Sequence, residues 1–183
     1  MTTTSKIHEN YKSFLETAQK SIIINNNLYE INEELNVIKK NMFIPISADK
    51  QINDESLKKL VNEYDHLNKI NDIKINEVAV FKEKESTFYY ACTKQNYWDK
   101  SNYEIYFNLL NIVKEYLIKE KENELHLIRL GDKYDRFNCK KSRMMLRFIF
   151  MKTNIKINIY NNTLIIPSPI EIPDILKEMH NKR

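Results

Sequence analysis

A three-layer α/β domain is what this sequence predicts, and three observations carry the prediction. Short apolar runs alternate with amphipathic stretches along most of the chain. Two of the runs, "INEVAVFKE" and "STFYYACT", follow each other across a short polar break, residues 82–85, as neighbouring strands do. The length of 183 residues suits one hydrophobic core with short appendages.

The elements follow in order. "KIHENYKSFLETAQK" predicts a helix with Ile7, Tyr11, Phe14 and Leu15 on one side. "SIIINNNLYE" reads as a short buried strand stopped by three asparagines, which favour turns. "NMFIPISAD" is a second strand, and Pro45 argues against continuous ladder pairing at the sheet centre. "INDESLKKLVNEYDHL" opens a helix with Asn53 or Asp54 as N-cap and carboxylates in the first turn. After the two strands already named, "SNYEIYFNLLNIVKEYLIKE" repeats Tyr103, Tyr106, Phe107, Leu110, Val113 and Leu117 at helical spacing, with Ser101 able to cap it. "ELHLIRL" is a strand, "CKKSRMMLRFIFM" a largely buried helix and "NIKINIY" a closing strand. Residues 162–183 hold three of the four prolines and read as an extended arm that packs on the domain or on a partner. The division expected is therefore a helical extension over 1–19, a domain over 20–161 and the arm.

Composition narrows the function. A net charge of +4, with the basic residues dispersed, gives no nucleic-acid arm and leaves only a weak case for nucleic acid as partner. Cys92 and Cys139 form no metal-spaced pair, His8, His66, His126 and His180 are scattered, and no apolar run would span a bilayer. The expectation is an intracellular protein, of cytoplasm or nucleus, with no metal, no cofactor and no membrane partner. His126, alternating with apolar neighbours, reads as a satisfied core residue. Trp98, Tyr97, Tyr89, Tyr90 and Tyr103 can stack on a base, though core packing explains them more simply.

Gly131 is the only glycine, where average usage of about 7% would give roughly 13. It closes "IRLG" just before a helix, at a junction of the kind that holds anions on backbone N–H groups. A glycine retained there points to a turn or a close approach that excludes a Cβ.

Thr93-Lys94, Asn102-Tyr103-Glu104, Arg129-Leu130-Gly131 through Asp135, and Asn154-Ile155-Lys156-Ile157 stand in the order and spacing of one known family. Over roughly residues 21–160 the chain resembles a macrodomain, the ADP-ribose-binding module, and within that family the terminal ADP-ribose protein glycohydrolases. The resemblance implies a central mixed sheet flanked by helices, with ADP-ribose or an ADP-ribosylated protein as ligand. It implies that Lys94 and Asp135 are a catalytic pair: the amine attacks the anomeric carbon of the distal ribose on a modified Glu or Asp, and the carboxylate handles proton transfers. Ligand contacts are expected from Asn27, Ser47, Asp49, Gly131, Lys133 and Tyr134.

The chain departs from the family at its phosphate-binding turns. Ile52-Asn53-Asp54-Glu55 and Gly131-Asp132-Lys133-Tyr134 stand where glycine-rich loops are usual, and Asn26-Asn27-Leu28 stands for a Gly-Asp-Leu. A carboxylate about 4 Å from a phosphate is repelled by ~4 kcal/mol at an effective dielectric of ~20, roughly a thousandfold in affinity. The first expectation is therefore a divergent macrodomain-like module with weakened or lost ADP-ribose binding, acting as an interaction protein, with a protein partner on the C-terminal arm. The alternative is an active glycohydrolase that works through Lys94 and Asp135.

Overall fold

The computed structural model describes residues 10–16 and 27–161. The arm at 162–183 and residues 21–26 of the expected first strand lie outside them. Six strands are present: β1 (Leu28–Ile31), β2 (Asn41–Ser47), β3 (Val78–Glu83), β4 (Ser86–Lys94), β5 (Glu124–Ile128) and β6 (Lys156–Tyr160). Helices are α1 (described over residues 10–16), α2 (Glu55–Val61), α3 (His66–Lys69), α4 (Tyr103–Lys119) and α5 (Cys139–Phe150). The sheet runs β1-β6-β5-β2-β4-β3, parallel except for β3, which forms an antiparallel hairpin with β4.

Side-chain alternation along the strands explains why both faces are covered. Phe43, Tyr89, Ala91, Leu125, Leu127, Ile157 and Ile159 face α4 and α5. Met42, Ile44, Ile46, Phe88, Tyr90 and Cys92 face α2 and the loops around α3. Each large side chain buried this way contributes about 1.5–3 kcal/mol, and helix α4 alone buries Tyr106, Phe107, Leu109, Leu110, Val113 and Leu117. The layers are helix, mixed sheet, helix.

Several local expectations need correction. Among the described residues, "SIIINNNLYE" contributes β1, which pairs with β6 from Leu28 onward. Strand β2 is central despite Pro45: its ladder with β4 runs its full length, while its pairing with β5 narrows to Met42 and His126. Asn102, not Ser101, caps α4, its Oδ1 accepting the Ile105 N–H at 2.9 Å. Ser101 is drawn away because its hydroxyl donates to the Thr93 carbonyl at 2.7 Å. Residues 10–16 share the main core: Phe14 is fully buried and stacks on Phe107, with ring centroids 5.9 Å apart.

Among the described residues, five with side chains hold positive φ: Lys50, Asn76, Lys84, Lys121 and Arg136, between 52° and 74°. Gly131, at φ 83°, is the sixth such position.

Candidate functional site

In parallel sheets, ligands gather beyond the carboxyl ends of the strands. Here β2 ends at Ser47, β4 at Lys94 and β5 just before Arg129, and the loops that follow enclose a cleft of about 570 Å³. A register shift after Ile46 pairs Ser47 with Lys94 and leaves Thr93 without a partner on β2. Such irregularities re-aim side chains at strand ends. Thr93 turns its hydroxyl to the Ile46 carbonyl at 3.3 Å, and Lys94 enters the cleft floor.

Lys94 is 3% exposed, and its Nζ has three acceptors: Asp135 Oδ1 at 2.9 Å, Asp132 Oδ2 at 2.7 Å and the Asp99 carbonyl at 2.8 Å. An ammonium has three N–H bonds to donate, so all are used. Asp135, 1% exposed, accepts four: from Lys94 and the Ser101 N–H on Oδ1, and from the Tyr106 hydroxyl and the Asp132 N–H on Oδ2. Burial, followed by the charges of Asp135 and Asp132, pushes the Tyr106 hydroxyl well above its usual range, so it stays a donor.

Asp132 is the residue that the sequence reading did not single out. Its Oδ1 accepts the Tyr134 and Asp135 N–H groups at 2.8 and 3.1 Å, closing its own turn. Its Oδ2 accepts from Lys94 and, at 2.6 Å, from Asn53 Nδ2, which also donates to the Tyr97 carbonyl at 2.9 Å. Three loops are thereby laced together. Burial alone would raise the Asp132 carboxyl, but the bonds from Lys94 and Asn53 outweigh it and hold the carboxyl below its ordinary value.

The other expected residues divide. Gly131 and Lys133 line the cleft, as does Ser47 at the end of β2. A Cβ on Gly131 would lie 2.8 Å from the Phe137 ring, so both its positive φ and its packing require glycine. Tyr134 turns its ring toward Lys94, with Nζ 5.6 Å from the centroid. Asp49 stands behind the cleft, accepting the Ser47 hydroxyl and, at 3.4 Å, the Tyr97 N–H. Asn27 is not with the others. It lies at the amino end of β1, across the sheet from the cleft, and donates to the Thr153 carbonyl at 2.8 Å. It directly precedes β1, at the opposite end of that strand from the cleft.

Asp54 caps α2, accepting the Leu57 N–H at 2.9 Å. Arg129, Lys133 and Arg136 reach the cleft as exposed cations, and among the described residues none of them makes an ion pair. Also among these residues, no set of three or more His, Cys, Asp or Glu groups is placed to hold a metal, and no helix is long and apolar enough to cross a membrane.

No family model matches the chain. In structure it is similar to the macrodomain of Mycobacterium tuberculosis DarG, with a TM-score of 0.63 and 11% identity, over 73% of this chain and 97% of that one. The chain has the macrodomain fold. It is also similar to Thermosipho africanus DarTG, solved in complex with ADP-ribose, with a TM-score of 0.54 and 15% identity over 67% of this chain and 38% of that one. In sequence the chain is similar to the ADP-ribose glycohydrolase OARD1 of Homo sapiens, 32% identical over 87 residues. That match covers 48% of this chain and 57% of OARD1, so the chain spans little more than half the length of this curated relative.

Proposed function

We propose that residues 20–161 form a hydrolase that releases ADP-ribose from modified glutamate or aspartate side chains. The observation that carries this reading is the contact of Lys94 Nζ with Asp135 Oδ1, 2.9 Å apart at the floor of an open cleft and 41 residues apart in the chain. A cleft of about 570 Å³ is of a size that takes a small-molecule ligand. The carboxylates that weighed against a diphosphate are engaged elsewhere: Asp54 on its own helix and Asp132 on Lys94. Arg129, Lys133 and Arg136 supply cations in place of glycine turns.

In the reaction, Asp135 accepts a proton from the Lys94 ammonium, which frees the nitrogen lone pair. That nitrogen bonds to the anomeric carbon of the distal ribose, the carbon–oxygen bond to the side-chain ester breaks, and the glutamate or aspartate leaves as a carboxylate. Water then cleaves the nitrogen–carbon bond, releasing ADP-ribose and restoring the amine. The test is chromatographic assay of ADP-ribose freed from a protein ADP-ribosylated on acidic side chains. Wild type releases it and Lys94→Ala does not; undiminished release by Lys94→Ala overturns the mechanism.

The saturation of Lys94 by three acceptors favours a second reading, a module that binds ADP-ribose or an ADP-ribosylated partner without cleaving it. Calorimetric binding of ADP-ribose by a wild-type protein that releases none from the modified substrate would establish that reading.

A further inference from the structure

Lys94 has one carboxylate partner more than the proposed reaction needs. Asp135 suffices to accept a proton, yet Asp132 Oδ2 lies nearer the amine, at 2.7 Å against 2.9 Å. A second carboxylate at that distance engages the nitrogen that has to be free to attack. Asp132 is itself fixed on every side, by two backbone N–H groups of its own turn and by Asn53, whose amide ties the loop after β2 to Tyr97 in the loop after β4. We propose that Asp132 is an internal restraint, a positioning residue that occupies the Lys94 amine until bound ligand draws its loop away. This rests on the reading of Lys94 as the nucleophile.

The restraint is specific in its geometry. Asn53, Asp132 and Lys94 line the same cleft, so ligand bound there lies beside both the Asn53–Asp132 bond and the amine. The charged and titratable groups facing the Asp132 carboxylate are Lys94, Asp135 and Tyr106, with Lys133, Tyr134, Arg129 and Arg136 on or beside its loop. Lys94 alone among the cations makes an ion pair with it within the described residues.

The experiment measures the Lys94 amine directly. Full-length wild type, Asp132→Asn, Asp132→Ser and Asn53→Ala are reductively methylated with formaldehyde and dimethylamine-borane, and Lys94 is followed by peptide mass spectrometry with exposed Lys58 as internal standard. Asp132→Asn keeps an oxygen for the two turn N–H groups and places an amide donor against Lys94 and Asn53. Lys94 in this variant, with one acceptor fewer, is expected to be labelled about tenfold faster, with Asp132→Ser changing in the same direction. Asn53→Ala leaves the ion pair and is expected to stay within about twofold. Turnover of ADP-ribosylated protein is expected to rise in kcat with little change in KM.

Labelling of Lys94 at the wild-type rate in both Asp132 variants overturns the restraint. So does an equal acceleration in Asn53→Ala, which would assign the effect to loop closure alone, or a fall in kcat alongside faster labelling. Faster labelling in proteins that release no ADP-ribose upholds the restraint and removes the glycohydrolase reading instead.

Discussion

Strand β4 supplies a residue to each of two buried polar clusters, and they differ in one respect. At its end, Lys94 meets Asp132 and Asp135 on the floor of a cleft. Four residues earlier, Tyr90 sends its hydroxyl to the opposite layer, 2.7 Å from Nδ1 of His66, whose Nε2 lies 2.7 Å from Glu83. The His66 ring is sandwiched between Tyr64 and Phe81, centroids 5.0 and 4.6 Å away, and is sealed by aromatics. Both clusters satisfy their hydrogen bonds, so a buried polar group is not in itself a sign of function. What separates them is the open space beside Lys94 and the two carboxylates set against a single amine.

That comparison is easiest to break at Lys94. Replacing it with alanine leaves the buried Asp135 and the half-buried Asp132 carboxylates without that counter-charge, at a cost of about 3–5 kcal/mol in urea unfolding, together with, under the proposed function, loss of ADP-ribose release. His66→Ala is expected to cost about 2–4 kcal/mol through the void and the stranded Tyr90 hydroxyl, while calorimetric affinity for ADP-ribose stays within twofold. A large loss of affinity in the His66 variant would erase the distinction between the two clusters.

Smaller effects sharpen it. Gly131→Ala sets a methyl against the Phe137 ring in left-handed backbone and is expected to lose about 2 kcal/mol by denaturant titration. Tyr106→Phe removes one of four donors to Asp135 and is expected to lose about 1–2 kcal/mol. Acid titration separates two further groups. Burial pushes the His126 imidazole down, so its contribution is complete above about pH 6.5 and is lost as pH falls toward the folded-state value. The Asp132 carboxyl is also lowered, so its contribution is complete above about pH 4 and is lost as pH falls through the folded value. Unfolding free energy measured against pH should therefore fall in two steps, and Asp132→Asn should flatten only the lower one.

Much of the layer architecture was legible, because the alternation in "STFYYACT" and the helical spacing from Tyr103 to Leu117 each bury one face. Lys94 and Asp135 were legible only together with the surrounding motif, since a lysine ending a strand and an aspartate near a helix start mean little singly. Asp132 was not legible in its structural role. It read as a charge that would repel phosphate, and what decides its effect is a lysine 38 positions away. The spacing of Asp132 and Asp135 beside the lone glycine was the available signal, placing both carboxylates on one tight turn. Asn27 falls away from the cleft because it directly precedes β1, a boundary that three consecutive asparagines do not reveal and that the pairing of Leu28 with Ile157 fixes.

The five side-chain-bearing residues in left-handed backbone point to untapped thermal headroom. Lys84 turns the β3–β4 hairpin in a conformation that costs an L-residue about 1–2 kcal/mol relative to the usual helical twist. Lys50, Lys121 and Arg136 carry the same kind of strain at their own turns. An engineer wanting a hardier scaffold would begin by relaxing those bends with glycine, outside the cleft first, before touching any of the packed interior.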